Sequence, residues 1–175
     1  MIPVDVTAFL ARLDWGPFTQ IAMFFHNYAY SLVALLSLIA APYLRRRGGH
    51  YALAGAMVLA IVMALFLKDL YDIPRPCNDW LTDAKACTPP EDYGFPSGHT
   101  AFAFVFVAAS LGTAVFPVYL VLGIIIAFSR IYLGVHSIED VAGGVVLGML
   151  SYLVFEEAVD AIGRGRDKKK KHGGK

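Results

Sequence analysis

The amino-acid sequence predicts an all-α fold: a polytopic membrane bundle of five transmembrane helices, preceded by a short helix in the membrane interface. Of its 175 residues, 57% are hydrophobic and only 17% are charged, whereas about a quarter of the residues in an ordinary soluble domain are charged. Several apolar runs also approach or reach the roughly 20 residues that a helix needs to cross a bilayer core. Finally, the basic residues collect in two clusters, which gives the bundle a direction.

Residues 1–16 predict the interfacial helix. Val6, Phe9, Leu10 and Leu13 follow the spacing i, i+3, i+4 and i+7, so they share one face of a helix. An apolar face of this kind is typical of a helix that lies in the membrane surface, although a short unstructured lead-in is the alternative for such a short segment. The N-terminus has neither the basic region nor the cleavage site of a secretory signal, so we expect the whole chain to be mature.

The apolar segments predict five spans. Thirty uncharged residues separate His99 from Arg130. As one helix they would be about 45 Å long, which exceeds the hydrocarbon core. Gly112 and Pro117 therefore predict a turn between two shorter helices, which returns Arg130 to the side of His99. The predicted spans are residues 18–44, residues 51–67 with a helical continuation to Tyr71, residues 99–115, residues 118–135, and a last span from Ser137 toward Ile162.

Positive charge predicts the orientation of the bundle. Residues 45–47 and 164–175 contain ten of the fifteen Lys and Arg residues. Cytoplasmic segments are enriched in these residues, and with five spans both clusters lie on the same, cytoplasmic side of a cell membrane. The loop 72–98 and the connection 136–139 then face outward. We expect residues 1–163 to form a single membrane domain and residues 164–175 to form a disordered basic tail in the cytoplasm.

Ionisable side chains from four helix ends are expected to meet on the outward side. Ionisable groups at membrane depth are costly and usually mark a functional site. Three of these groups are cations, and guanidinium groups suit bidentate contact with phosphate oxygens. The six side chains are Lys68, Arg75, His99, Arg130, His136 and Asp140.

The neighbours of these groups predict an anion-binding catalytic site. The segment Pro96 to His99 places Ser97 at a helix N-cap, where free N–H groups bind anions, and Gly98 lets the backbone approach closely. His136 and Asp140 are four positions apart, so they share a helix face. The carboxylate can then hold one imidazole nitrogen while the other nitrogen faces a substrate.

Three short segments resemble the signature of the type 2 phosphatidic acid phosphatase superfamily, also called the lipid phosphate phosphatases. All signature positions match, in the right order, and the resemblance covers residues 68–140 directly. Many members have six spans, whereas this chain has a short N-terminal segment in place of the first. The segments are Lys68 followed after six residues by Arg75-Pro76, then Pro96-Ser97-Gly98-His99, then Ser129-Arg130 followed after five residues by His136 and after three more by Asp140.

The resemblance implies a metal-independent phosphatase without a cofactor. His136 would attack phosphorus and form a phosphohistidine, while Asp140 would orient its ring. His99 would protonate the leaving oxygen and later activate water. The outward-facing carboxylates form no obvious ligand set, so no metal site is expected. The implied phosphate-binding residues are Lys68, Arg75, Ser97, Gly98 and Arg130.

The expected substrate is a lipid phosphate in the membrane, with a polyprenyl diphosphate of undecaprenyl or dolichyl type as the first choice. Phosphatidic acid, phosphatidylglycerol phosphate and a lipid A phosphate stay open. A transporter of phospholipid headgroups is the non-enzymatic alternative, but it does not need His136 and Asp140 on one face. Vanadate-dependent peroxidase chemistry is disfavoured because the related haloperoxidases are soluble. No nucleic-acid partner is expected, and the sequence leaves the oligomeric state open.

Cys77 and Cys87 lie in the same outward loop, with nine residues between them. An oxidising exterior favours a disulfide between them. Closing so short a loop contributes about 2–3 kcal/mol, and the bond would hold Arg75 near the site.

Other unusual residues in the spans have structural interpretations. His26 and Asn27 match no signature segment, and a polar pair inside a span is interpreted as making an interhelical hydrogen bond. Gly144 and Gly148 are four positions apart, so they form a small-residue face for helix packing.

Overall fold

The computed structural model describes residues 4–40, 49–87 and 92–173, and within these ranges the chain forms seven helices and no strand. The predicted all-α fold is confirmed. The end of the first predicted span and the basic cluster at 45–47 lie outside the described residues. The helices are α1 (Val4–Arg12), α2 (Gly16–Ala40), α3 (Gly49–Tyr71), α4 (Pro76–Asp79), α5 (Gly98–Ser110), α6 (Phe116–Tyr132) and α7 (Ile138–Gly173).

The predicted break between His99 and Arg130 separates α5 from α6. Gly112 lies between these helices with a φ of +72°, a conformation that glycine adopts without steric cost. Pro117 lies in the first turn of α6, where its missing N–H would have no partner in the helix. Both helices are shorter than the predicted ranges 99–115 and 118–135, because the connection begins at Leu111 and α6 ends before Gly134, whose φ is +79°.

Helix α5 lies at the centre of the bundle, where it packs against α3, α6 and α7. Every residue of α5 from Thr100 to Ser110 is buried. This helix is apolar on all sides rather than amphipathic, which is typical of a helix surrounded by others.

The surrounding helices present large apolar side chains to the outside, as Val58, Val62 and Leu150 do. In the described part of the chain, two segments are long and apolar enough to cross a bilayer, Gly49–Asp79 and Ile138–Gly165, while α5 and α6 are shorter apolar helices. The outer surface therefore suits a lipid environment better than water.

Two glycines let α7 approach α5 closely. A Cβ atom on Gly144 would lie 2.6 Å from the carbonyl oxygen of Ser97, and one on Gly148 would overlap the carbonyl oxygen of Ala101. Only a residue without a side chain fits at such distances. The helix-packing interpretation of these glycines is confirmed, and the contact brings the beginnings of α5 and α7 side by side.

Helix α7 continues beyond the predicted end near Ile162 and reaches Gly173. Residues 164–173, for which the sequence predicts disorder, are therefore helical in the structure. Lys and Arg are good helix formers, and cations near a helix C-terminus interact favourably with its dipole. The polar composition of this segment indicates exposure to water rather than loss of helical structure.

Helix α1 packs against α6, and its Thr7 and Ala11 are buried. Two residues of its predicted apolar face, Val6 and Phe9, are 41% and 64% exposed. Val6 and Phe9 therefore point away from the protein, whereas Leu10 of the same predicted face packs against the core.

Replacing Gly148 by alanine is expected to destabilise the fold by about 1–3 kcal/mol, because the added Cβ forces α5 and α7 apart. Thermal unfolding in detergent, followed by circular dichroism, measures the effect as a lower Tm. Gly163→Ala is the matched control, since a Cβ at Gly163 meets nothing within 4 Å and alanine is the better helix former. An equal fall in Tm for both variants would contradict this interpretation of the contact.

Candidate active site

The helix ends that carry the predicted site residues surround a cavity. Its volume is about 180 Å³. Five of the eight predicted site residues line it: Lys68 from the last turn of α3, Arg75 from the following loop, Gly98 and His99 from the beginning of α5, and His136 from the connection between α6 and α7.

The other three predicted site residues are buried around this cavity. Ser97, Arg130 and Asp140 are 0%, 1% and 2% exposed. Ser97 is the N-cap of α5, as predicted, but its hydroxyl makes no capping bond and instead accepts a hydrogen bond from Thr100 Oγ1 at 3.0 Å. The backbone N–H of Ser97 donates to the carbonyl oxygen of Asp140 at 2.9 Å, which joins the first turns of α5 and α7.

Hydrogen bonds determine the tautomer of His136. A guanidinium group only donates, so Nε2 of His136 accepts from Nη1 of Arg75 at 2.7 Å. The ring proton of the neutral imidazole is therefore on Nδ1, which donates to Oδ2 of Asp140 at 3.2 Å. The same carboxylate oxygen accepts the backbone N–H of Ser137 at 2.9 Å. The lone pair of Nε2 thus lies at the cavity, where Arg75 occupies it in the structure.

His136 is electrically neutral in this environment. Burial, followed by the positive charges of Arg75 and Lys68, lowers its pKa well below the ordinary value for histidine. The ring stays unprotonated at neutral pH, and an imidazole can act as a nucleophile only in that state.

Asp92 is a residue of the site that the sequence did not predict. Its Oδ1 accepts from Nζ of Lys68 and its Oδ2 from Nη2 of Arg75, each at 2.7 Å. Burial alone would raise the pKa of Asp92, but the hydrogen bonds and charges of Lys68 and Arg75 outweigh burial, and the pKa is lowered. An ionised carboxylate therefore lies between two of the predicted phosphate-binding cations.

No local pattern distinguishes Asp92 from the other acidic residues of the loop 72–98. The only available signal is electrostatic. Buried cations at membrane depth require a nearby anion, and this loop is rich in acidic residues. That argument predicts a carboxylate partner for Lys68 and Arg75 without identifying which one.

Arg130 is held by its own helix and by α2. Its Nε and Nη2 donate to the hydroxyl of Ser129 at 3.1 and 3.0 Å. Its Nη1 donates to Nδ1 of His26 at 3.1 Å, and Nη2 also contacts the carbonyl oxygen of Ala22 at 3.4 Å. The interhelical hydrogen bond predicted for His26 is confirmed, and its partner is a predicted site residue.

A disulfide joins Cys77 to Cys87, with their Cα atoms 5.6 Å apart. This prediction is confirmed. Cys77 lies in α4, two positions after Arg75, so the bond restrains the segment that carries this cation. Within the described residues, no group of three or more His, Cys, Asp or Glu side chains is arranged to hold a metal ion.

Comparison with known proteins gives the same family as the three signature segments, the type 2 phosphatidic acid phosphatase (PAP2) superfamily. The model of the PAP2 superfamily matches residues 49–162, which is more than half of the chain and contains every predicted site residue. Decaprenylphosphoryl-5-phosphoribose phosphatase of Mycobacterium tuberculosis is 38% identical over 147 residues, which cover 83% of this chain and 78% of that protein.

Two solved structures have a similar fold. LpxE of Aquifex aeolicus has a TM-score of 0.72 at 22% identity, over 90% of this chain and 96% of the LpxE chain. A transmembrane PAP2-type phosphatidylglycerolphosphate phosphatase of Bacillus subtilis has a TM-score of 0.67 at 20% identity, over 90% of this chain and 84% of that chain. The phosphatase predicted from the signature segments is confirmed, and the chain belongs to the PAP2 superfamily.

Proposed function

We propose that this membrane phosphatase hydrolyses a lipid phosphate or diphosphate through a phosphohistidine at His136. The hydrogen bonding of His136 carries the proposal. Its Nδ1 donates to Asp140, and its Nε2 accepts from Arg75, a residue suited to bind phosphate. A nucleophilic lone pair and a phosphate-binding group thus lie within 2.7 Å of each other.

The proposed reaction has two displacements at phosphorus. In the first, Nε2 of His136 bonds to phosphorus, the bond to the leaving oxygen breaks, and His99 gives that oxygen a proton. The imidazole becomes positively charged, and Asp140 stabilises it. In the second, water attacks phosphorus, the P–N bond breaks, and His99 takes a proton from the water.

The cations around the cavity would stabilise the transferring phosphoryl group. Lys68, Arg75 and Arg130 would supply fixed positive charge. Gly98, in the first turn of α5, would supply a backbone N–H group, and Ser97 would donate through its hydroxyl, since its backbone N–H is bonded to Asp140. Phosphoryl transfer depends chiefly on such positioning and charge stabilisation. Three buried cations provide both without a metal ion in this proposal.

The apolar wall of the cavity supports a lipid substrate. It consists of Ala60, Ile61, Ala64 and Leu65 on α3 and Phe102 on α5. Ile61 and Leu65 are 45% and 58% exposed on the outside of the bundle, so the wall continues onto the surface that suits lipid. A phosphate group can occupy the polar end of the cavity while the hydrocarbon tail extends along α3.

A polyprenyl phosphate or diphosphate is the proposed substrate class, with phosphatidic acid, phosphatidylglycerol phosphate and lipid A phosphate as alternatives. The similar mycobacterial protein is named for a decaprenylphosphoryl substrate, which supports the first choice. We expect moderate promiscuity within the class.

The proposed topology has five spans, with the site outward and the C-terminus in the cytoplasm. The basic clusters at 45–47 and 164–175 support this orientation through the positive-inside rule. Helix α1 would lie in the outer interface, since Val6 and Phe9 point away from the protein and can enter the membrane surface.

His136→Ala is expected to abolish phosphate release, with a loss of at least about a thousandfold, because the nucleophile is removed. Purified protein in detergent with EDTA is tested against polyprenyl diphosphate, phosphatidic acid and phosphatidylglycerol phosphate. His50→Ala is the control, since His50 is exposed at the beginning of α3. Phosphate release by His136→Ala at the rate of the unmodified protein would rule out the phosphohistidine.

Asp92→Asn is expected to strengthen inhibition by inorganic phosphate about fivefold, the equivalent of about 1 kcal/mol. The carboxylate holds Lys68 and Arg75, so a phosphate group has to displace it, whereas a neutral amide competes less. The inhibition constant is measured at fixed pH and ionic strength.

Asp83→Asn is the matched control, since it removes one negative charge from the same loop. The native Asp83 pairs with Arg12, away from the cavity. Equal inhibition constants for Asp92→Asn and the unmodified protein would show that the carboxylate does not compete with phosphate.

A further inference from the structure

We propose that His26 of α2 is a positioning residue, which orients the guanidinium of Arg130 for phosphate binding. The inference rests on the proposed function and adds a fifth helix, α2, to a site that the signature segments build from the helix ends of α3, α5, α6 and α7. His26 lies outside residues 49–162, the range that the superfamily model matches.

The hydrogen bond between Arg130 and His26 can have only one direction. Nη1 of Arg130 and Nδ1 of His26 are 3.1 Å apart, and only the guanidinium can donate in this pair. Nδ1 of His26 therefore accepts, so the imidazole is neutral with its proton on Nε2. A protonated His26 would lose the acceptor and add a second positive charge beside Arg130.

A second contact places His26 beside the catalytic groups. Its ring is nearly parallel to that of His99, with an interplanar angle of 7° and centroids 6.3 Å apart. Because α2 carries His26 and α5 carries His99, this arrangement lies at the meeting point of two helices. One imidazole is thus adjacent to the predicted acid and hydrogen-bonded to a predicted phosphate-binding cation.

The position of Arg130 makes its orientation important. Its side chain is 1% exposed, and a long arginine side chain has about 2 kcal/mol of rotamer entropy to lose when it is fixed. Donors already oriented in the empty site stabilise phosphate more than donors that have to reorganise. Ser129 holds Nε and Nη2 from the same helix, while His26 holds Nη1 from across the interface.

Removing the acceptor is expected to weaken ground-state and transition-state binding equally, which raises KM and leaves kcat nearly unchanged. In His26→Phe the ring remains but the acceptor is lost. We expect KM for the lipid substrate and the inhibition constant of inorganic phosphate to rise about tenfold, which is equivalent to about 1.4 kcal/mol. We expect kcat to stay within about threefold of the unmodified value, with Tm unchanged.

The rescue experiment uses two amides. In His26→Asn an oxygen can occupy the place of Nδ1, so both constants are expected to recover to within about threefold. In His26→Gln the polar group lies nearer the place of Nε2, so both constants should resemble those of His26→Phe. Asn27→Ala is the control on the same helix, since the side chain of Asn27 is exposed.

The outcomes separate this inference from the proposed function. If His26→Phe has the same KM and the same phosphate inhibition constant as the unmodified protein, and His136→Ala is inactive, the positioning role is overturned but the proposed function stands. Equal values of KM and of the inhibition constant in His26→Asn and His26→Gln also overturn the positioning role. This comparison applies even if His26→Phe does not fold. An active His136→Ala overturns the proposed function, whatever the His26 variants do.

Discussion

The site depends on how closely α5 approaches α7. Glycines at 144 and 148 allow the helix backbones to touch, and the backbone N–H of Ser97 then reaches the carbonyl oxygen of Asp140 at 2.9 Å. That contact places the N-terminus of α5, with Gly98 and His99, beside the pair formed by His136 and Asp140. A larger separation would leave the first turn of α5 and the imidazole of His136 in different places.

Charge balance is the second constraint on the site. Lys68, Arg75 and Arg130 are all buried, and unpaired charges at such depth are costly. Asp92 compensates Lys68 and Arg75 through ion pairs of 2.7 Å, whereas Arg130 is held by a hydroxyl, a carbonyl oxygen and the neutral imidazole of His26. Two of the three buried cations thus share the single carboxylate of Asp92.

The sequence alone predicted those features of the structure that depend on a local pattern of residues. The helix break at Gly112 and the packing glycines follow from spacing and backbone preference, and the pairing of Cys77 with Cys87 follows from their shared loop. The place of Asp92 in the site and the partner of His26 could not be predicted, because each depends on a contact with a residue that is distant in the sequence. The extent of α7 was missed for another reason: a basic composition indicates exposure to water but does not exclude a helix.

The apolar wall formed by α3 has a kinetic consequence. A lipid substrate that reached the cavity past Ile61 and Leu65 would stay in the membrane throughout, so it would arrive by diffusion in two dimensions. Its effective concentration is then its mole fraction among the surrounding lipids or detergent molecules rather than its amount per litre. Turnover at a fixed amount of substrate accordingly falls when inert amphiphile is added, a behaviour known as surface dilution.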